Sequence, residues 1–139
     1  MNRTAAYYAA ALLAAPVCMT AHAASSYEDC LNRNIELVNE VSTILERVTP
    51  ATTGEAVAKL EALKPAIDAV HAELNEFPDD VQAATLSKPH VMQKLAMAMQ
   101  RLFNVLQQLE KAAQEAAPDE VAGLQQVLSA THALMGRQE

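Results

Sequence analysis

The chain has 139 residues and a net charge of −7, with no basic run dense enough to neutralise a phosphate backbone, so nucleic acid is excluded as a partner. Three glycines, no tryptophan, and a preponderance of Ala, Leu, Val, Glu and Gln point to an all-α fold. With two cysteines, one of them near the start, disulfides cannot be what holds the chain together.

Met1-Asn2-Arg3 is positive, residues 5–17 are mostly apolar, and Ala21-His22-Ala23 supplies small residues around a histidine. This order is that of a secretory signal peptide, with cleavage expected after Ala23 and a periplasmic or extracellular destination. The apolar run is too short for the roughly 20 residues of a spanning helix and contains Pro16, and no later run is longer, so no membrane span is expected. A rival reading makes Cys18 a lipidated first residue, but Pro16 and Val17 are poor substitutes for the small residues such a processing site prefers. Cleavage after Ala23 removes Cys18 and leaves Cys30 alone. Residues 24–139 are expected to form one domain, large enough to bury a core by packing alone.

Charge is spread unevenly along that domain. Residues 24–80 carry 12 acids against 4 bases, whereas residues 81–139 carry 5 of each. From Val81 to Leu109 there is no acid, only Lys88, Lys94 and Arg101, which suits this segment to lie against acidic neighbours.

The first helix is expected from Ser25 or Ser26, either able to cap it, to Val48, with Leu31, Val38, Val41, Leu45 and Val48 on one face and Glu28 and Asp29 in the favourable first turn. Thr49-Pro50-Ala51-Thr52-Thr53-Gly54 breaks the pattern, and Thr52 with Glu55 has the spacing of a capping box. A second helix then runs from about Thr53 to Glu76, kinked at Pro65, with Val57, Leu60, Leu63, Ile67, Val70, Leu74 and Phe77 inward. The short turn sets it antiparallel to the first.

After Phe77-Pro78-Asp79-Asp80 the spacing predicts one long helix, bent at Pro89, from about Asp80 to Ala116. Met92, Leu95, Met99, Leu102, Leu106, Leu109, Ala113 and Ala116 step by three and four and form its expected core stripe. Ala98, Val105, Ala96 and Phe103 widen that stripe beyond a coiled-coil seam, so this helix needs more than one partner. Pro118 stops it and opens a last helix, near whose end lies Gly136, with Val121, Leu124, Leu128, Thr131 and Met135 inward. The expected architecture is an antiparallel bundle of three long helices and a shorter C-terminal one.

The run Glu40-Val41-Ser42-Thr43-Ile44-Leu45-Glu46-Arg47-Val48, a Thr-rich turn, and Glu55-Ala56-Val57-Ala58-Lys59-Leu60-Glu61-Ala62-Leu63-Lys64 resemble small exported bacterial helical proteins of unassigned function. The likeness covers about residues 37–98. It implies a helical fold and export, and supplies no site residues.

Three constellations carry possible chemistry. Asp68 and His71 have the spacing of a di-metal bundle ligand pair, but no second such pair accompanies them, and a surface ion pair is the plainer reading. His90, Met92, Met97 and Met99 resemble a soft copper-ligand cluster, yet helical geometry sends Met97 to the face opposite Met92 and Met99, so core filling is the better account. Cys30 needs a neighbouring cation to act as a nucleophile, and its place beside Leu37 and Ile44 predicts burial; an intermolecular disulfide is the other option. No haem-attachment motif, glycine-rich phosphate loop or Gly-x-Ser-x-Gly turn occurs.

The expectation is therefore a non-enzymatic exported protein without cofactor or catalytic residues, acting by contact with a protein partner or by self-association. Met97, Phe103 and Val105 are the candidate contact residues. The alternatives are a chaperone-like or small-ligand-binding bundle with a methionine-lined groove, and a metal-binding bundle built on Asp68 and His71.

Overall fold

The computed structural model describes residues 26–135. The expected export segment 1–23, including Cys18 and the cleavage point after Ala23, lies outside the described residues, as does Gly136. Among the described residues there are five helices and no strand: α1 Tyr27–Glu46, α2 Thr53–Asn75, α3 Asp79–Leu86, α4 Pro89–Glu115 and α5 Pro118–Met135. None is long and apolar enough to cross a membrane.

Local chemistry explains where each helix begins and ends. Ser26 caps α1, its hydroxyl accepting from the Asp29 amide at 3.0 Å while the Asp29 carboxylate reaches back to the Ser26 amide. The helix stops at Glu46, two residues earlier than expected. Arg47 and Val48 donate to carbonyls three residues back, and Thr49 is extended, as suits a residue before proline. Thr52 does not cap α2 with its side chain. Its hydroxyl faces backward and accepts from the Thr49 amide at 2.9 Å, closing the 3-10 turn Pro50–Thr52. The α2 helix passes through Pro65, which is exposed, and the Gln82 side chain of α3 donates to the Phe77 and Leu74 carbonyls at its end.

The expected long helix from Asp80 to Ala116 is two helices. Lys88 precedes a proline and takes an extended conformation (φ −74°, ψ 125°), which interrupts the helical path, and Pro89 occupies the first turn of α4, where its missing amide hydrogen has no partner to lose.

In the bundle, α1 packs on α2 and α4, and α5 packs on α2 and α4, so the ring order is α1–α2–α5–α4. Chain direction follows from the contacts. Arg33 of α1 pairs with Glu73 near the end of α2, and Tyr27 meets Phe77 edge to face at 5.4 Å, as an antiparallel hairpin requires. Glu28 at the start of α1 meets Lys88 and His90 at the start of α4, and Glu46 at its end meets Arg101 further along α4. These two neighbours therefore run the same way. The fold is a pair of antiparallel hairpins, α1–α2 and α4–α5, laid side by side with like-directed helices adjacent. This corrects the expected all-antiparallel arrangement, and α3 is the crossover that makes it possible, carrying the chain from the end of α2 past α1 to the start of α4.

One cluster of apolar side chains fills the bundle, including Val38, Val41 and Leu45 of α1, Leu60 and Ile67 of α2, Val91, Leu102 and Val105 of α4, and Leu124 and Val127 of α5. Gly123 lets α5 approach α2 closely, since a Cβ there would lie 2.5 Å from the Thr53 hydroxyl.

Candidate functional site

The charge asymmetry of the sequence becomes a spatial one. The acidic residues of α1 and α2 form one layer, and α4 with α5 form the other, in which no Asp, Glu, Lys or Arg occurs from Val121 to Met135. Bases of α4 hold the layers together. The Glu28 carboxylate accepts from Lys88 Nζ at 3.0 Å and lies 3.0 Å from His90 Nε2, and these partners, His90 foremost, hold its pKa below the usual carboxylate range. Arg101 donates through Nε and a terminal nitrogen to the two oxygens of Glu46, at 2.9 and 2.7 Å, and also to the Thr43 hydroxyl at 3.0 Å. The guanidinium lowers the pKa of Glu46. The acid-free segment thus does lie against acidic neighbours, and both clusters are joints between helices.

The buried stripe of α4 is Val91, Ala98, Leu102, Val105, Leu109 and Ala113. It is rotated by roughly 50° from the expected stripe, half of the 100° between successive residues of a helix. Met92 and Met99 are consequently 44% and 46% exposed, which overturns their placement in the core. The reason is the apolar width of α4, which exceeds what α1 and α5 cover. Which part stays outside is decided by where those two neighbours sit.

The uncovered part is a continuous stripe. Met92, Ala96, Met99 and Phe103 fall within about 60° of arc, and half-buried Leu106 continues the line. Phe103 is 58% exposed, a large area of ring left in water. Gln93, Gln100 and Gln107 border the stripe on one side; Lys94 and Arg101 lie on the opposite half of the helix. Glu110 stands at one end of the same line, whereas Lys88, the extended residue before α4, turns its ammonium to Glu28 of α1.

The candidate contact residues separate accordingly. Phe103 lies in the stripe. Val105 is 4% exposed and belongs to the core, a correction that follows from the same rotation. Met97 is 65% exposed but sits about 120° from Phe103, where it borders open grooves along the α1–α4 seam with Arg101. The three methionines therefore do not line one groove. Leu106 stood with Met92 and Met99 in the expected core stripe, and none of the three was a contact candidate; Glu110 was missed at the end of the line, although its four- and seven-residue spacing from Leu106 and Phe103 was visible.

The remaining candidates are placed apart from this surface. Asp68 pairs with Lys64 at 3.1 Å, and no group of three His, Cys, Asp or Glu residues able to hold a metal ion occurs among the described residues. Cys30 is fully buried, and burial pushes its thiol pKa up, against the pull of the Arg33 guanidinium 3.1 Å from the sulfur. As a thiol in a closed core it is poorly suited to nucleophilic attack or to bridging chains.

No protein-family model matches the chain, and neither a curated protein nor a solved structure shows significant similarity to it.

Proposed function

We propose that this protein is an exported, non-enzymatic helical bundle that works by contact with protein surfaces, through the outer face of α4. The observation that carries this reading is the exposed stripe Met92, Ala96, Met99 and Phe103, apolar, continuous and free of charge along its length. Aromatic and methionine side chains in such a patch lose hydration when covered, and no charged group there must be desolvated with them. Export rests on the charged, apolar and small-residue order of residues 1–23, and the non-enzymatic reading on the lack of a nucleophile–base pattern in the sequence.

The test is site-specific photo-cross-linking in cells that express the full chain. A cross-linker in place of Phe103 is expected to give discrete protein adducts in the periplasmic or extracellular fraction, whereas one in place of exposed Ala62 on α2 gives none. Equal labelling at the two sites would remove the α4 contact reading, and retention in the cytoplasm would remove export.

A further inference from the structure

Among the described residues Met92, Met97 and Met99 stand exposed within about two turns of α4, whereas Met135 is half-buried against the core. Cys30 is fully buried and the chain has no tryptophan, so these three thioethers are the readiest oxidisable side chains among the described residues. We propose that Met92 and Met99 are modification sites, and that their oxidation to sulfoxide by a peroxide outside the cytoplasm releases the protein surface held by the α4 stripe. The proposal rests on the protein-contact reading above and adds the regulation of that same face. In each step a sulfur lone pair attacks one peroxide oxygen, and the S–O bond forms as the O–O bond breaks. The departing hydroxide takes the proton of the transferred oxygen and leaves as water, so that sulfur loses two electrons and the peroxide gains them.

The rotation of α4 that leaves Met92 and Met99 outside the core lets the folded protein carry this change, because a sulfoxide there stays hydrated, whereas in the core it would break the packing. Once the stripe is covered the same oxygen loses its water, and Ala96, Phe103 and Leu106 beside it offer no side-chain donor in exchange. The penalty therefore falls on the bound state alone. Met97 supplies the comparison within the molecule. It is the most exposed of the large apolar side chains, but lies about 140–160° around the helix from Met92 and Met99, outside the stripe. Its oxidation should be at least as fast as theirs and should leave the contact unchanged. Reductases return sulfoxides to thioethers, so the release is reversible.

The experiment has two arms. In the first, the purified full chain is treated with graded hydrogen peroxide and mapped by mass spectrometry of its peptides, with circular dichroism alongside. Met92, Met97 and Met99 are each expected to gain one oxygen about fivefold or more faster than Met135, with helix content unchanged. Oxidation of Met92 and Met99 no faster than that of Met135, or only with loss of helix, overturns the modification. The second arm is the cross-linking from position 103 in cells, with and without hydrogen peroxide in the medium. Peroxide should lower the adduct yield about fivefold or more in the parent and in Met97→Leu, and by less than about twofold in the double variant Met92→Leu with Met99→Leu, which keeps an apolar stripe without sulfur. Equal loss in the double variant would place the sensitive group on the partner and overturn the release, as would a parent yield that peroxide leaves unchanged. Adducts missing before peroxide is added would remove the contact reading and the release with it, while the mapping decides the modification by itself.

Discussion

Gly123→Ala should reverse its effect according to what stands at position 53. In an ordinary helix interior the change gains about 1 kcal/mol, because alanine loses less backbone freedom than glycine. Here the new Cβ would meet Thr53 Oγ1 at 2.5 Å, Cβ at 3.2 Å and Cγ2 at 3.3 Å, so the threonine side chain must turn away, and its Cβ, which rotation does not move, stays in tight contact. Overpacking of this kind costs about 1–3 kcal/mol, which outweighs the propensity gain over most of its range and leaves a net loss of up to about 2 kcal/mol. For a domain of this size that corresponds to a fall in melting temperature of roughly 4–8 °C per kcal/mol. Thr53→Ala removes both γ atoms and leaves a 3.2 Å contact that a small shift of α5 relieves; in that background Gly123→Ala should stabilise. Thermal melts of the parent, two single variants and the double variant form the cycle that measures the coupling. If Gly123→Ala raised the melting temperature equally in both backgrounds, the close approach of α5 to the start of α2 would not be what selects glycine.

Other outcomes follow from single sites. Leu60 is completely buried in α2, and Leu60→Ala should lose about 2–5 kcal/mol by denaturant unfolding; a loss below 1 kcal/mol would show that the bundle is not packed there. The Ser42 hydroxyl is buried in α1 with no hydrogen-bond partner among the described residues, so Ser42→Ala should raise stability by about 1 kcal/mol, and a marked loss would mean that the hydroxyl is bonded. Glu28 and Glu46 have folded pKa values below their ordinary one of 4.5, so their contribution is complete above that value and disappears as the pH falls through the lowered folded values. The melting-temperature gap between the parent and Glu46→Gln should accordingly close on acidification, and a gap unchanged at pH 2 would remove the Arg101 pairing as its cause. Cys30 should resist a thiol reagent until denaturant is added, whereas rapid labelling of the native protein at that position would contradict its burial.

Much of the local structure was legible in the residues alone. The Ser26 cap and the opening of α5 at Pro118 rest on short-range chemistry, in which a hydroxyl or a proline acts within a few residues of itself; α2 also starts at Thr53 as expected, although the Thr52 hydroxyl closes the preceding turn instead of capping it. The same holds for the inward positions Leu31, Val38, Leu60, Ile67, Leu124 and Leu128, where each helix has a single apolar stripe and hence one face to bury. Even the interruption at Pro89 was marked in the sequence, though as a bend rather than a break. The pairing of α4 bases with α1 acids was signalled by the distribution of charge, but not which base meets which acid.

Tertiary structure decided what periodicity leaves degenerate. α4 is apolar over more of its circumference than two neighbours can cover, so Leu102 is buried under either rotation, whereas Val105 and Met99 exchange places with a turn of about half a residue. That rotation is set by α1 on one side and α5 on the other, and those positions depend in turn on α3 carrying the chain across the bundle and placing α1 and α4 parallel. Residue spacing within one helix reports which side chains share a face. It carries no information on which of two adjoining faces a distant helix will cover, and so the stripe that ends in Phe103 could be identified as a surface only once all the helices were in place.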